Sequence, residues 1–221
     1  GVPSDTCSTD RFIVGATLKG ELPTNAFFVT SSSPCDGTRI AYPILQKTLG
    51  CPMLFLDAPF RDDREAIRYY AGQLEGDLIP FVEQQTGRKF DIDRFREVVE
   101  ESNRAYELLV DTRDAYRAKP APHHGMLRSA PYMMFMHGAG HPQPTETLKL
   151  FSEDATRRVR EGRTEGPFPE KHRVLWVHVP PTYDYELFSW MEEQCGATVV
   201  VDSLSATSVL DPIDTSSLET M

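Results

Sequence analysis

Cys7 and Cys35 are the residues whose setting best suits chemistry. Cys7 lies in Ser4-Asp5-Thr6-Cys7-Ser8-Thr9. Cys35 lies in Thr30-Ser31-Ser32-Ser33-Pro34-Cys35-Asp36-Gly37, directly after the apolar run Ala26-Phe27-Phe28-Val29. Each stretch reads as the mouth of a helix, where a thiol faces unpaired backbone N–H groups and the positive end of the helix dipole. That setting lowers a thiol pKa and suits a thiolate acting as nucleophile or metal ligand. The two cysteines are separated by 27 residues, too far for a local zinc or ferredoxin loop, so a shared metal would have to be assembled by the fold. The residues alone leave the pair open between a metal site, a nucleophile and two unrelated cysteines.

Cys51, before Pro52 at a strand start, and Cys195, before Gly196 at a helix end, occupy places where small buried residues are common. The six histidines show no metal spacing. His123 and His124 are adjacent and read as a turn. His137 and His141 flank Gly138-Ala139-Gly140, a glycine pattern that predicts a flexible, solvated loop near a pocket. His172 and His178 read as packing or surface residues of a strand. The Met-rich stretch Met126 to His137 predicts core, with the lining of an acyl or ring channel as the alternative. Glu97 to Glu101 reads as a solvated helix face. No GxGxxG, GxxxxGK[ST] or GxSxG pattern occurs, so nucleotide binding, phosphoryl transfer and α/β-hydrolase chemistry lack their usual marks.

The elements that must position these residues alternate strand and helix. A helix is predicted over 9–20, a buried strand over 26–31, a helix over 37–49 and a second apolar strand over 52–57, the pattern of a covered parallel sheet. Long helices follow over 62–85 and 91–118, with apolar residues near helical spacing. A break at 120–124 precedes the Met-rich stretch and a further helix over 145–163. Gly166-Pro167-Phe168-Pro169 reads as a linker. After it come a strand over 173–179, a helix over 185–194 and a strand over 197–202, one right-handed β-α-β unit. The class is therefore α/β: a Rossmann-like parallel-sheet lobe over 1–61, a long-helix region over 62–165 and the start of a second α/β lobe over 166–221. A single unit cannot cover both faces of a parallel sheet, which predicts a fragment whose second lobe is completed elsewhere.

Composition sets the outer bounds. The 221 residues are 40% hydrophobic and 25% charged, an ordinary globular balance. A formal net charge of −10 argues against a nucleic-acid partner and against an anionic membrane. Four cysteines are too sparse for a secreted disulfide scaffold, which favours a reducing, cytoplasmic setting.

Several stretches together resemble a known family. They are Thr6-Cys7-Ser8, Gly20-Glu21-Leu22-Pro23, Phe28-Val29-Thr30-Ser31 through Cys35-Asp36-Gly37-Thr38-Arg39, Leu54-Phe55-Leu56-Asp57-Ala58-Pro59, Arg173-Val174-Leu175-Trp176 and Gly196-Ala197-Thr198-Val199-Val200. The chain resembles the cluster-bearing subunits of 2-hydroxyacyl-CoA dehydratases, relatives of benzoyl-CoA reductase subunits. The resemblance implies two α/β lobes holding a 4Fe–4S cluster, with Cys7 and Cys35 matching two of three cysteine ligands and the third lying outside this chain. It implies elimination of water from a 2-hydroxyacyl-CoA through a ketyl radical, started by one electron from an ATP-dependent activator iron–sulfur protein. A homologous second subunit, an acyl-CoA substrate and an anaerobe's cytoplasm are implied with it, and Arg39 is a candidate contact for CoA phosphate. The resemblance also admits a benzoyl-CoA reductase-like subunit, or a binding or scaffold homologue without a cluster. Outside the family, the residues leave a cysteine-dependent redox or nucleophilic enzyme, which needs a His partner near Cys7 or Cys35.

Overall fold

The structure, a computed structural model, describes residues 3–22, 27–33, 35, 37–166, 168–181, 184, 186–203, 211–218 and 220–221. Pro34 and Asp36 beside Cys35, Pro167 of the linker, and the starts of the expected strand at Ala26 and helix at Tyr185 lie outside the described residues. The chain forms two compact units, residues 1–90 and 91–221.

In the first unit, α1 (Ser8–Leu18) is followed by β1 (Phe28–Ser31), α2 (Thr38–Leu49) and β2 (Met53–Leu56). The strands pair in parallel, with Phe28 opposite Met53 and Ser31 opposite Leu56. A parallel pair needs a crossover, and α2 supplies it. Gly50 ends that helix in the left-handed conformation, at φ 66°. Helices α1 and α2 share the unit's core of Val14, Ala41 and Leu45, against which Ile13, Phe28 and Tyr42 pack.

The expected long helix over 62–85 is three segments. Asp63 caps α3 (Arg64–Gln73) by accepting the Ala66 N–H, a wide π turn spans Leu74–Leu78, and α4 (Ile79–Thr86) closes the unit. The physical reason is Pro80. It has no N–H to give residue 76, and its ring crowds that carbonyl in a regular helix. The π turn, in which Ile79 donates to Leu74, opens the rod there.

The second unit is built on α5 (Ile92–Ala115), capped by Asp91, whose carboxylate accepts the N–H groups of Asp93 and Arg94. A 3-10 turn (Gly125–Ser129), α6 (Ala130–Gly138) and α7 (Pro142–Glu161) follow. Leu109, Leu148 and Ala155 of α5 and α7 are fully buried. The β-α-β unit is present as β3 (His172–Trp176), α8 (Leu187–Cys195) and β4 (Ala197–Asp202), the two strands pairing in parallel. Among the described residues no helix is long and apolar enough to cross a membrane.

Four readings change. The 138–141 segment is a packed turn, not a loose loop: at Gly140 (φ 82°) a Cβ would lie 2.5 Å from Val98 Cγ1 of α5. Glu101 is buried rather than solvated, held by Thr145 and Arg104. Cys195 is exposed, whereas Cys51 is buried as expected. The Met-rich stretch is divided: Tyr132 is buried and Phe135 packs on Tyr106, while Met133 and Met136 face out.

Candidate functional site

The first turn of α1 and the loop between β1 and α2 meet through Asp10 and Gly37. Asp10, three residues after Cys7, is 8% exposed. A Cβ on Gly37, two residues after Cys35, would lie 2.0 Å from Asp10 Oδ2. Glycine at 37 is therefore what lets the two cysteine-bearing turns sit side by side. Asp10 Oδ2 is buried with no hydrogen-bond partner among the described residues.

Cys7 is the N-cap residue of α1, and its carbonyl accepts the Arg11 N–H at 3.1 Å. Its sulfur is exposed. The backbone N–H of Thr9, the Thr9 hydroxyl and the Asp10 N–H hold the thiol below its ordinary pKa, as the helix-mouth argument requires. Cys35 is likewise exposed. Its carbonyl accepts the Thr38 hydroxyl at 2.9 Å, and the same hydroxyl also reaches the Ser31 carbonyl at 2.9 Å, which ties the loop to the end of β1.

The carboxyl ends of the parallel strands, where α/β sheets bind ligands, carry the unit's other polar groups. Ser32 Oγ accepts the Ala58 N–H at 2.8 Å. Gln73 bonds both the N–H and the carbonyl of Asp57, at 2.8 and 2.9 Å. Asp57 pairs with Arg39 and accepts from Tyr69, and the Arg39 bond leads in lowering the Asp57 pKa. Arg39 also lies over the Phe55 ring, at 5.3 Å. Arg39 is thus engaged within its own unit.

The second unit holds a buried polar network that the sequence did not announce. The Tyr116 hydroxyl lies 2.7 Å from His123 Nδ1, and His123 Nε2 lies 3.0 Å from Asp154 Oδ2. Burial lowers the His123 pKa, which favours the neutral ring, and the Asp154 carboxylate can only accept from Nε2. Burial opposes the Asp154 charge, but bonds from Arg158, His123 and Arg157 outweigh it and hold the carboxyl at about 2. Both Glu192 oxygens accept the Gly125 N–H, and Oε2 lies 3.0 Å from His124 Nδ1 in an ion pair without hydrogen-bond alignment, which raises the His124 pKa. Arg128 pairs with Asp202 at 2.9 Å, both side chains nearly fully buried. Arg173 donates to the Ala118 and Tyr116 carbonyls and to Glu170. His137 and His141 stay exposed at the α6–α7 turn.

Two exposed thiols on adjoining turns, one of them acidified, have the chemistry of thiolate ligands for iron. Among the described residues no group of three or more His, Cys, Asp and Glu is placed to hold a metal ion.

The whole chain, residues 1–221, matches the family described as 2-hydroxyglutaryl-CoA dehydratase, D-component. It is 25% identical to the alpha subunit of (R)-2-hydroxyglutaryl-CoA dehydratase from Acidaminococcus fermentans, with 72% of this chain and 34% of the relative covered. It is 26% identical to a benzoyl-CoA reductase subunit from Thauera aromatica, covering 92% and 51%. With the (R)-phenyllactyl-CoA dehydratase alpha subunit of Clostridium sporogenes the identity is 24%, covering 80% and 45%. The chain thus spans between 34% and 51% of the length of these curated relatives.

Proposed function

The chain belongs to the 2-hydroxyglutaryl-CoA dehydratase D-component family, and from that premise we propose that it is part of a cytoplasmic iron–sulfur lyase acting on 2-hydroxyacyl-CoA thioesters. The observation that carries the reading is the pair of exposed thiols, Cys7 and Cys35, on turns brought together by Asp10 and Gly37. These two would hold a 4Fe–4S cluster, with a third cysteine contributed from outside this chain. When bound, such a cluster supplies one low-potential electron, the chemistry on which a ketyl-radical elimination of water depends.

The chain's own contribution is positioning and electrostatics. The Thr9 and Asp10 N–H groups favour the thiolate form of Cys7. Thr38, bonded to the carbonyls of Ser31 and Cys35, anchors the second thiol to the strand end. The alpha-subunit designations of two relatives support a homologous second subunit as partner, and the family resemblance adds an ATP-dependent activator iron–sulfur protein.

Aromatic-ring reduction is the second reading, favoured by the match to the Thauera aromatica benzoyl-CoA reductase chain, which covers 92% of this one. A thiol enzyme is disfavoured within the first unit, because residues 1–90 contain no histidine to serve as base. The test is anaerobic reconstitution of the full-length protein with iron and sulfide, as wild type and as Cys7→Ala and Cys35→Ala. Iron content and broad visible absorption should be strong in the wild type and lost in both variants. Iron binding indifferent to both cysteines, or none in the wild type, sinks the cluster assignment and leaves a scaffold homologue.

A further inference from the structure

Arg39 is engaged by Asp57 and Phe55, and a second set of guanidinium groups lies in the other unit. The second unit contains a cavity of about 300 Å³ lined by Arg113, Arg117, Arg128 and Arg173, with Tyr116 and Tyr132. Leu109 and Val200 contribute an apolar wall. The volume stands at the lower bound of small-molecule sites, which run from about 300 Å³ upward. The only carboxylate among the described lining residues is Asp114, and it pairs with Arg117 Nε at 3.2 Å.

Arg128 makes the cavity more than a surface concavity. Its side chain is 5% exposed. Nη2 donates to Asp202 Oδ2 at 2.9 Å and to Ser129 Oγ at 3.1 Å. Nε is buried without a partner, and Nη1 makes no hydrogen bond among the described residues. Asp202 balances the charge and Nε is closed off, so Nη1 is the guanidinium donor left for a further acceptor. Arg117, 84% exposed, extends the same sign of charge to solvent.

We propose that this cavity seats a phosphate group and, resting on the acyl-CoA reading above, that the phosphate is one carried by coenzyme A. Guanidinium groups recognise phosphate oxygens through charge-assisted bonds, and Arg128 and Arg117, both lining this pocket, suit an anion with several acceptor oxygens. The three relatives act on esters whose acyl groups differ and whose CoA portion is shared, so a phosphate seat would serve all of them alike.

The test is isothermal titration calorimetry of the intact protein with CoA, pantetheine and inorganic phosphate. CoA and phosphate should bind, pantetheine should not, and Arg117→Ala should weaken both ligands about tenfold, the loss expected of a charge-assisted bond. Arg128→Gln should remove binding. If that variant does not fold by circular dichroism, the exposed Arg117→Ala carries the test. Phosphate binding that falls with Arg117→Ala, while CoA binds no better than pantetheine, keeps the seat and removes the acyl-CoA reading. CoA binding untouched by either variant overturns the seat and leaves the acyl-CoA reading standing.

Discussion

The first unit holds its cysteine and strand-end polar groups at the surface, and the second encloses a network of charged ones. Cys7, Cys35, Arg39 and Asp57 are all substantially exposed, held by caps and short loops at helix mouths and strand ends. Arg128, Asp202, Glu192 and His123 are all buried, each with a partner distant in sequence. Exposed groups contribute little to folding free energy and remain available to an outside ligand. Buried ion pairs are costly to break, and so they fix one arrangement of the helices around them. The difference separates a region whose singled-out polar groups are open to solvent from one whose singled-out charges are held inside.

The largest expected effect lies in the second unit. Asp202→Ala strands the Arg128 guanidinium in the interior and should cost about 3–5 kcal/mol, read as a fall in the urea midpoint. A loss under about 1 kcal/mol would mean that this unit is no more dependent on its charges than the first. The first unit's most sensitive point is steric instead. Gly37→Ala drives a Cβ into Asp10 and should cost about 1–3 kcal/mol. Most of that penalty should vanish in the Asp10→Ala background, because the clash is with that carboxylate; an unchanged penalty would place the constraint elsewhere.

The smallest effect is a pH dependence confined to one unit. His123 has its pKa lowered, chiefly by burial, so its contribution is complete above the unfolded value of about 6.5 and erodes as pH falls below it. His124 has its pKa raised by Glu192, so its contribution is complete below that value and is lost as pH rises through the folded one. Hydrogen exchange from about pH 5 to 8 should show both trends over residues 91–221 and little change over 1–90, which lack histidine. His123→Gln should flatten the acid side and His124→Gln the alkaline side. Equal slopes in the two regions would erase the contrast.

What the sequence revealed follows the range of the interaction. Asp63 and Asp91 at helix starts and Gly50, Gly162 and Gly196 at helix ends act within a turn of their own position, so element order and most boundaries were readable. Cys7 and Cys35 were readable for the same reason, since their neighbours define a helix mouth. Arg128 and Asp202 are 74 residues apart, and Gly125 and Glu192 are 67 apart. Pairings of that span leave no periodic trace, so the burial of His123 and of Glu101 was not legible. The glycines at 37 and 140 were visible as letters, but their reason, a carboxylate and a valine at contact distance, belongs to the packed molecule.

The π turn at Leu74–Leu78 acts as a phase shifter. It takes up one residue more than a regular turn, so whatever follows is rotated by about 100° relative to an unbroken rod. Gln73, ahead of it, grips the backbone of Asp57, while Phe81, beyond it, meets the edge of the Phe27 ring at 5.6 Å. One extra residue thus lets a single rod serve two bearings that helical periodicity would set at odds. Removing a residue between 74 and 78 would leave the grip on Asp57 intact and swing Phe81 through more than a quarter of a circle.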